Sequence, residues 1–234
     1  MRKVVLSALL AYAATGCVAA EDAGLITANW SFKEVSTGAV LGCPAGFDTT
    51  AVYAYPVDGA NQRRGQPIID LYPCSAGTGT NEYPVDAYEV YLEITNSDNT
   101  QLYAQSTAAI VDITSRDATF TTTIIDDGGF FLFDWQLRGE VTGDPLSCAE
   151  ALADSVDITS TLNGSTQAYT DVYPCSQGSA YTAALPAGDY TVSVAALDSS
   201  DRSISNTPAL VNKRISAPNK ITDLGLIMIP IVGE

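Results

Sequence analysis

The chain contains two copies of one sequence pattern, and this duplication constrains its fold more than any other feature. Each copy holds, in the same order, a tryptophan, a cysteine thirteen residues later, a segment ending in Tyr-Pro-Cys-Ser, and a segment in which a proline precedes a tyrosine by four residues. Four anchors at a nearly constant offset predict two tandem domains of the same fold. The anchors are Trp30, Cys43, 70–75 and 83–90 in the first copy, and Trp135, Cys148, 171–176 and 185–192 in the second.

Each copy reads as a series of short strands. Apolar and polar residues alternate over 155–161 and 189–197, which is the period of a strand with one buried face. Short strands separated by Gly, Pro, Asn and Asp turns favour β-sandwiches over alternating β-α units. The predicted strands are the segment around Trp30, 51–55, 88–94 and 119–125 in the first copy, and 130–137, 155–161, 189–197 and 224–231 in the second.

Residues 185–194, LPAGDYTVSV, resemble the LPxGxYxV hairpin of carboxypeptidase-regulatory-like, transthyretin-like and related Ig-like sandwiches. In that hairpin Pro and Gly make the turn, and the aromatic residue begins an alternating strand whose inner face packs on the other sheet. The first copy departs from it, with Tyr83 for Leu and Asp86-Ala87 where Gly would stand. The resemblance implies an all-β chain of two tandem Ig-like/transthyretin-like antiparallel β-sandwiches, with one disulfide each, after a cleaved signal segment.

The first seventeen residues have the layout of an export signal. Arg2 and Lys3 precede an apolar stretch at 4–13, which is followed by Ala14-Thr15-Gly16-Cys17. This segment resembles a bacterial lipoprotein signal, whose lipobox ends in a small residue and a lipidated cysteine. Gly16 and Cys17 match that pattern, whereas Ala14 stands where Leu is usual. The whole chain also resembles uncharacterised exported lipoproteins of Gram-negative bacteria.

The lipobox resemblance implies that Cys17 is acylated and becomes the new amino terminus. Several acyl chains on one cysteine anchor a protein stably where a single chain is marginal. Val18 after the cysteine implies sorting to the outer membrane, on either its periplasmic or its cell-surface face. Ordinary signal-peptidase cleavage near Ala20, which would give a secreted or periplasmic protein, is the alternative.

The number of cysteines fits this anchor. Five cysteines leave one thiol over in an exported protein, and lipidation of Cys17 accounts for it. Four remaining cysteines permit three pairings, of which only one keeps each bridge within a repeat. We therefore predict Cys43–Cys74 and Cys148–Cys175 in an oxidising compartment.

The predicted division of the chain combines the signal with the repeat. Two domains of roughly 100 residues each fit a chain of this length. The segments are a lipoprotein signal peptide at 1–16, a lipidated tether at 17–24, a first β-sandwich at 25–125, a linker at 126–129 and a second β-sandwich at 130–234.

Charge and the missing histidines exclude several classes of function. The chain holds 27 acidic and 11 basic residues, a net charge of −16, so nucleic acid is excluded as a partner. Loss of Arg2 and Lys3 with the signal would leave 9 basic residues against 27 acidic ones, or −18. With no histidine, the Ser-His-Asp triad and the commonest metal ligand are both absent from the sequence. We predict no catalytic residues.

Calcium binding is the main chemical alternative, because Asp, Asn and carbonyl oxygens on sandwich loops suit a hard cation. The candidate ligands are Asp98, in the segment 96–99, and Asp198 and Asp201, in the segment 198–201. Both segments are also typical hairpin turns, which is the competing interpretation. No other cofactor is predicted.

Aromatic residues in the two copies have different expected roles. Trp30 and Trp135 occupy equivalent places, which predicts core anchors rather than ligand platforms. Arg63-Arg64 is expected to be a solvated loop. Tyrosines on loops and edges are frequent partner contacts, whereas a Tyr-Pro-Cys beside a bridge can be a rigid corner. The tyrosines left open between these roles are Tyr53, Tyr55, Tyr72 and Tyr173.

Together these observations predict a non-catalytic lipoprotein that acts as a binding or structural module at the cell envelope. Its expected partners are the membrane, through the lipid anchor, and an envelope or surface protein or glycan. A calcium-dependent adhesin-like module is the first alternative. A hydrolase with a carboxylate pair is the second.

Overall fold

The computed structural model describes residues 23–233, so Cys17 and the predicted signal peptide lie outside the described residues. The regular elements are β-strands and two 3-10 helices, Cys74–Ala76 and Cys175–Gln177. The first domain contains β1 (Ala23–Lys33), β2 (Val40–Leu41), β3 (Thr49–Pro56), β4 (Ile68–Pro73), β5 (Thr78–Pro84), β6 (Ala87–Thr95), β7 (Leu102–Gln105), β8 (Ala109–Asp112) and β9 (Ala118–Ile125). The second contains β10 (Gly128–Gly139), β11 (Pro145–Leu146), β12 (Ser155–Leu162), β13 (Ala168–Pro174), β14 (Ser179–Tyr181), β15 (Leu185–Pro186), β16 (Gly188–Leu197), β17 (Leu210–Ile215) and β18 (Lys220–Ile231).

Each domain is a sandwich of two sheets, as predicted. In the first domain β1 pairs with β2, β5 and β9, and the facing sheet has the order β4-β3-β6-β7, with β8 also on β6. In the second, β10 pairs with β11, β14, β15 and β18, and the facing sheet has the order β13-β12-β16-β17. Side chains from the inner faces of the two sheets form a separate core in each domain.

One pair of strands in each domain is parallel, which the antiparallel prediction missed. β1 pairs with β9 in parallel, and β10 pairs with β18 in parallel. A hairpin forces its two strands to be antiparallel, but these pairs join the first and last long strands of a domain and have no hairpin between them. The local turn signals in the sequence therefore carry no information about their direction.

The predicted linker at 126–129 is wrong in its second half. Gly128 and Gly129 belong to β10, where Gly129 pairs with Leu185 on one side and with Lys220 on the other. Only Asp126 and Asp127 connect β9 to β10. The predicted tether at 17–24 also overlaps the fold, because β1 begins at Ala23.

The two tryptophans are core anchors, as their equivalent places in the repeat predict. Trp30 is 5% exposed and Trp135 is 6% exposed. The Trp30 indole N–H donates to the Cys74 carbonyl oxygen at 2.8 Å, and the Trp135 indole N–H donates to the Cys175 carbonyl oxygen at 3.0 Å. In each copy the buried indole ring has its only hydrogen-bond donor paired, and this contact holds the tryptophan strand against the disulfide.

Both predicted disulfides are present. Cys43 bonds to Cys74, and Cys148 bonds to Cys175, with sequence separations of 31 and 27 residues. Each bridge joins the loop after the first strands to the 3-10 helix that follows an edge strand. The repeat therefore selected the pairing that the fold contains.

A tyrosine corner also recurs in the two domains. The Tyr88 hydroxyl donates to the Pro84 carbonyl oxygen at 2.8 Å, and the Tyr190 hydroxyl donates to the Pro186 carbonyl oxygen at 2.8 Å. Both rings are buried. This contact ties the start of each long inner strand to the turn before it, which is why the proline and tyrosine keep their spacing in both copies.

Two hydrogen-bonded residues hold the domains together. The Asp127 carboxylate accepts the backbone N–H groups of Val35 at 2.6 Å and Ser36 at 3.0 Å. Asn219, which is 2% exposed, donates from Nδ2 to the Gln105 carbonyl oxygen at 2.6 Å and accepts the Ile125 N–H at 2.6 Å. Burial raises the pKa of Asp127, but the hydrogen bonds from Ser36 and Val35 outweigh it and leave the pKa lowered.

Alkaline pH should destabilise the second domain through Tyr173 and Tyr190. Burial raises the pKa of each phenol to about 12, against 10.0 for a free tyrosine. Between these values the folded chain binds more protons than the unfolded chain, so the stability from these phenols is present below pH 10 and lost as pH rises through about 12. We expect Tyr173→Phe and Tyr190→Phe each to remove one late-ionising phenol from an ultraviolet titration. An unchanged titration curve would contradict this assignment.

Candidate binding face of the first domain

The most distinctive surface of the molecule is on the outer face of the first domain. Val52 and Ala54 of β3 point into the core, so Tyr53 and Tyr55 point outward from the same strand. On the neighbouring strand β6, Tyr91 is directly opposite Tyr53. The tyrosine face, as we name it, consists of Tyr53, Tyr55, Arg63, Glu89, Tyr91 and Glu93.

The three tyrosine rings form a stack across the two strands. The centroids of Tyr53 and Tyr91 are 4.9 Å apart and their planes differ by 4°. The centroids of Tyr55 and Tyr91 are 6.2 Å apart and their planes differ by 15°. Tyr91 is only 7% exposed because a ring covers it on each side, whereas Tyr53 and Tyr55 remain partly exposed. The stack holds the rings in fixed positions above the sheet.

Arg63 extends the stack and connects it to a carboxylate. Its guanidinium carbon is 4.3 Å from the Tyr55 ring centroid and 5.6 Å from that of Tyr91. The same guanidinium donates from Nε and Nη2 to the two oxygens of Glu89 at 2.8 and 2.7 Å. A bidentate ion pair combined with a cation–π contact orders this long side chain. Arg63 is exposed in the loop between β3 and β4, as predicted, and these contacts also hold its side chain against the tyrosine stack.

Protonation states on the face follow from burial and these contacts. Burial and the Glu93 carboxylate raise the pKa of Tyr53, and burial together with Tyr55 raises the pKa of Tyr91. The hydrogen bonds that Arg63 donates to Glu89 raise the pKa of Arg63. At neutral pH the face therefore presents neutral phenols, which can donate and accept hydrogen bonds, beside carboxylates and a guanidinium.

The second domain lacks this aromatic stack at the equivalent positions. Pro73 pairs with Thr49 in the first domain, and Pro174 pairs with Ser155 in the second, which aligns β3 with β12 residue by residue. The same alignment holds for β6 and β16, because Tyr53 pairs with Tyr91 and Thr159 pairs with Ser193. The positions of Tyr53, Tyr55 and Tyr91 in the first domain are therefore occupied in the second by Thr159, Thr161 and Ser193. Because the second domain has the same fold without these rings, the fold does not require the tyrosines.

A groove of about 300 Å³ lies between the two domains, next to the tyrosine face. Glu89 belongs to both the face and the groove. Burial and the Glu89 carboxylate raise the pKa of Tyr181 on the opposite wall. The first domain contributes Glu89, Ala109 and Ile110 to the interdomain groove, and the second contributes Leu132, Ser179 and Tyr181.

The candidate calcium ligands lie in hairpin turns. Asp198 accepts the backbone N–H groups of Ser200 and Arg202, and the Arg202 guanidinium donates twice to its other oxygen. The hydrogen bonds from Arg202 and Ser200 lower the pKa of Asp198. Asp98 lies in the turn at 96–99 and Asp201 in the turn at 198–201. Within residues 23–233, no group of three His, Cys, Asp or Glu side chains is close enough together to hold a metal ion. Calcium binding stays a prediction.

Tyr72 and Tyr173, the other tyrosines left open by the sequence, are packing residues. The Tyr72 ring centroid is 6.1 Å from that of Trp30, and the Tyr173 centroid is 6.3 Å from that of Trp135. Both therefore act as the rigid corner beside each bridge.

Over the described part of the chain, no helix has the length and apolar character needed to cross a bilayer.

Comparisons with known proteins identify no family for this chain. No protein family and no curated relative matches the chain. The first similar structure is a leucine-rich repeat protein of Bacteroides thetaiotaomicron, at 12% identity and a TM-score of 0.39, over 89% of this chain and 26% of that one. The present chain thus spans about a quarter of that protein.

Two smaller proteins are similar over nearly their whole length. One is a candidate polysaccharide-binding protein of B. thetaiotaomicron, at 9% identity and a TM-score of 0.32, over 82% of this chain and 97% of that one. The other is GBS52, the minor pilin of Streptococcus agalactiae, at 14% identity and a TM-score of 0.31, over 90% of this chain and 97% of that one. Since all these TM-scores are below 0.5, function has to be inferred from this chain's own residues.

Proposed function

We propose that this protein is a non-catalytic binding module of the cell envelope, anchored by lipid at Cys17, and that the tyrosine face is its contact surface. The observation that carries this proposal is the difference between two copies of one fold. One copy has Thr159, Thr161 and Ser193, and the other has a stack of three tyrosines with an ordered arginine. Tyrosine and arginine are among the residues most enriched at binding hot spots.

The proposed anchor would hold this face close to the membrane. Five residues lie between Cys17 and Ala23, where β1 begins, which makes six steps from one Cα to the next. At 3.3 to 3.6 Å per residue, such a tether reaches about 20 Å when fully extended. The first domain, which carries the tyrosine face, would therefore be the domain nearer the lipid, and its partner would lie within the envelope or just above it.

Exchanging the tyrosines for the residues of the second copy tests the contact surface. We expect the triple variant Tyr53→Thr/Tyr55→Thr/Tyr91→Ser to fold, because β12 and β16 form the same pair of strands with these side chains. Its binding to purified peptidoglycan sacculi, measured by co-sedimentation of the unlipidated Cys17→Ser protein, should fall about tenfold or more. The matched control is Thr159→Ala/Thr161→Ala/Ser193→Ala. Equal loss in both variants, or none in the tyrosine variant, would overturn the proposal.

Mass spectrometry of the unreduced protein from Gram-negative membranes tests the anchor. We expect an amino terminus at Cys17 that carries acyl mass, and we expect Cys17→Ser to move the protein from the membrane fraction to the soluble fraction. An unmodified terminus near Glu21 would instead show a freely secreted or periplasmic protein. That outcome would remove the anchor from the proposal without affecting the contact surface.

A further inference from the structure

We propose that the tyrosine face binds a neutral glycan chain, and that the interdomain groove receives one of its sugar rings. This inference rests on the proposed function, since it names the ligand of the same surface.

The face offers side-chain groups and almost no backbone groups. The backbone of β3 is paired with β4 on one side and with β6 on the other, and β6 also pairs with β8. An extended peptide gains most of its affinity from backbone hydrogen bonds at a free sheet edge, which this face does not provide. Phenol, carboxylate and guanidinium groups instead match a ligand whose polar groups are hydroxyls.

Charge on the face favours a neutral ligand over an anionic one. Arg63 is paired with Glu89 at 2.7 Å, and the adjacent Arg64 is paired with Asp86 at 2.6 Å. Glu93, beside the Tyr53 phenol, adds a negative charge to the face. Both arginines are therefore already neutralised, and a polyanion would meet net repulsion from the face and from a chain of net charge −16.

The face is also ordered before any ligand arrives. Tyr91 is held between two rings, and Arg63 is held by Tyr55 and by both oxygens of Glu89. A flexible glycan loses conformational freedom when it binds, so affinity depends on a protein surface that loses little of its own. The stack meets this requirement without help from the ligand.

The face and the groove form one continuous strip. In the register of β3, β6 and β8, Glu89 lies between Tyr55 and Ile110, and Ile110 lines the groove. Strands lie about 4.8 Å apart, so the strip crosses about 10 Å from β3 to β8 before it reaches the second domain. Such a strip suits a stretch of polymer. The groove, with apolar walls at Ile110 and Leu132 and polar groups at Ser179 and Tyr181, suits a single ring at its end.

Isothermal titration with defined sugars tests this inference. The probes are cellohexaose, chitohexaose and maltohexaose as neutral chains, with polygalacturonate and heparin as anionic chains. We expect at least one neutral hexamer to bind and neither polyanion to bind. Tyr53→Thr/Tyr55→Thr/Tyr91→Ser should weaken that binding about tenfold, and Thr159→Ala/Thr161→Ala/Ser193→Ala should leave it unchanged.

A groove variant separates the two parts of the inference. Ser179 is exposed on the groove wall, so Ser179→Trp should fill the groove, leave the tyrosines in place and weaken hexamer binding about threefold or more. If envelope binding depends on the tyrosines but no neutral hexamer binds, the glycan is overturned and the proposed function stands. If hexamer binding is insensitive to Ser179→Trp, the role of the groove is overturned. If a polyanion binds through the tyrosines, the proposed preference of the face for a neutral chain is overturned.

Discussion

A Gly128→Ala variant should lose about 3 kcal/mol of unfolding free energy, because its new methyl group has no room. A Cβ built on Gly128 would lie 2.1 Å from the Leu185 carbonyl oxygen, and one built on Gly129 would lie 2.1 Å from the Lys220 carbonyl oxygen. Both obstacles are backbone atoms in paired strands, so they cannot move aside as a flexible side chain would. The strand β10 must shift away from β15 or β18 to accept the substitution.

Urea denaturation of Gly128→Ala beside Gly59→Ala measures this effect. Gly59 has no heavy atom within 4 Å of an added Cβ, so its substitution should change the unfolding free energy by less than about 0.5 kcal/mol. If residues 126–129 were a flexible linker, both substitutions would be equally mild. A neutral Gly128→Ala would therefore restore the linker interpretation and contradict the position of Gly128 inside β10.

The sequence predicted those parts of the fold that depend on the spacing of residues close together in the chain. Trp30 and Trp135 stand at the same distance from a cysteine, and this repetition identified both core anchors and both bridges. Alternation over 189–197 identified β16 to within one residue. Local patterns of this kind depend on neighbours along the chain, so one sequence is enough to read them.

The tyrosine face could not be predicted, because its members come together through strand register. Tyr53 and Tyr91 are 38 positions apart in sequence, yet they face each other across β3 and β6. Alternation with Glu89 and Glu93 places Tyr91 on the outer face of β6, but only the register brings it opposite Tyr53. Tyr53 and Tyr55 were recognised as possible contacts from their residue type, but Arg63 and Glu89 gave no local signal. The second copy has threonine or serine at the positions of the three tyrosines, and this difference is visible only when the strands of the two domains are aligned in space.

Removing either disulfide should cost about 3 to 4 kcal/mol, and nearly the same amount in each domain. In the chain-entropy account the stabilisation grows with the logarithm of the closed loop. The separations of 31 and 27 residues therefore predict effects that differ by only a few tenths of a kcal/mol. The variants are Cys43→Ala/Cys74→Ala and Cys148→Ala/Cys175→Ala, measured by urea unfolding under oxidising conditions.

Each domain carries its own reporter for this measurement. The chain has two tryptophans, and each is hydrogen-bonded to a cysteine of the bridge in its domain. Fluorescence in a Trp135→Phe background therefore follows the first domain, and fluorescence in a Trp30→Phe background follows the second. A loss below about 1 kcal/mol for either cysteine pair would contradict a stabilising role for that bridge.

The same experiment shows how strongly one domain depends on the other. Asn219 of the second domain is hydrogen-bonded to the Gln105 carbonyl oxygen and the Ile125 N–H of the first. When the second domain unfolds, the Gln105 carbonyl and the Ile125 N–H lose their hydrogen-bond partner. Unless water replaces Asn219, the loss of this partner lowers the unfolding free energy of the first domain. We therefore expect Cys148→Ala/Cys175→Ala to lower the unfolding midpoint of the first domain as well, by less than that of the second. If the Trp30 signal is unchanged, the interdomain hydrogen bonds contribute no coupling, and the two sandwiches behave as independent units on one tether.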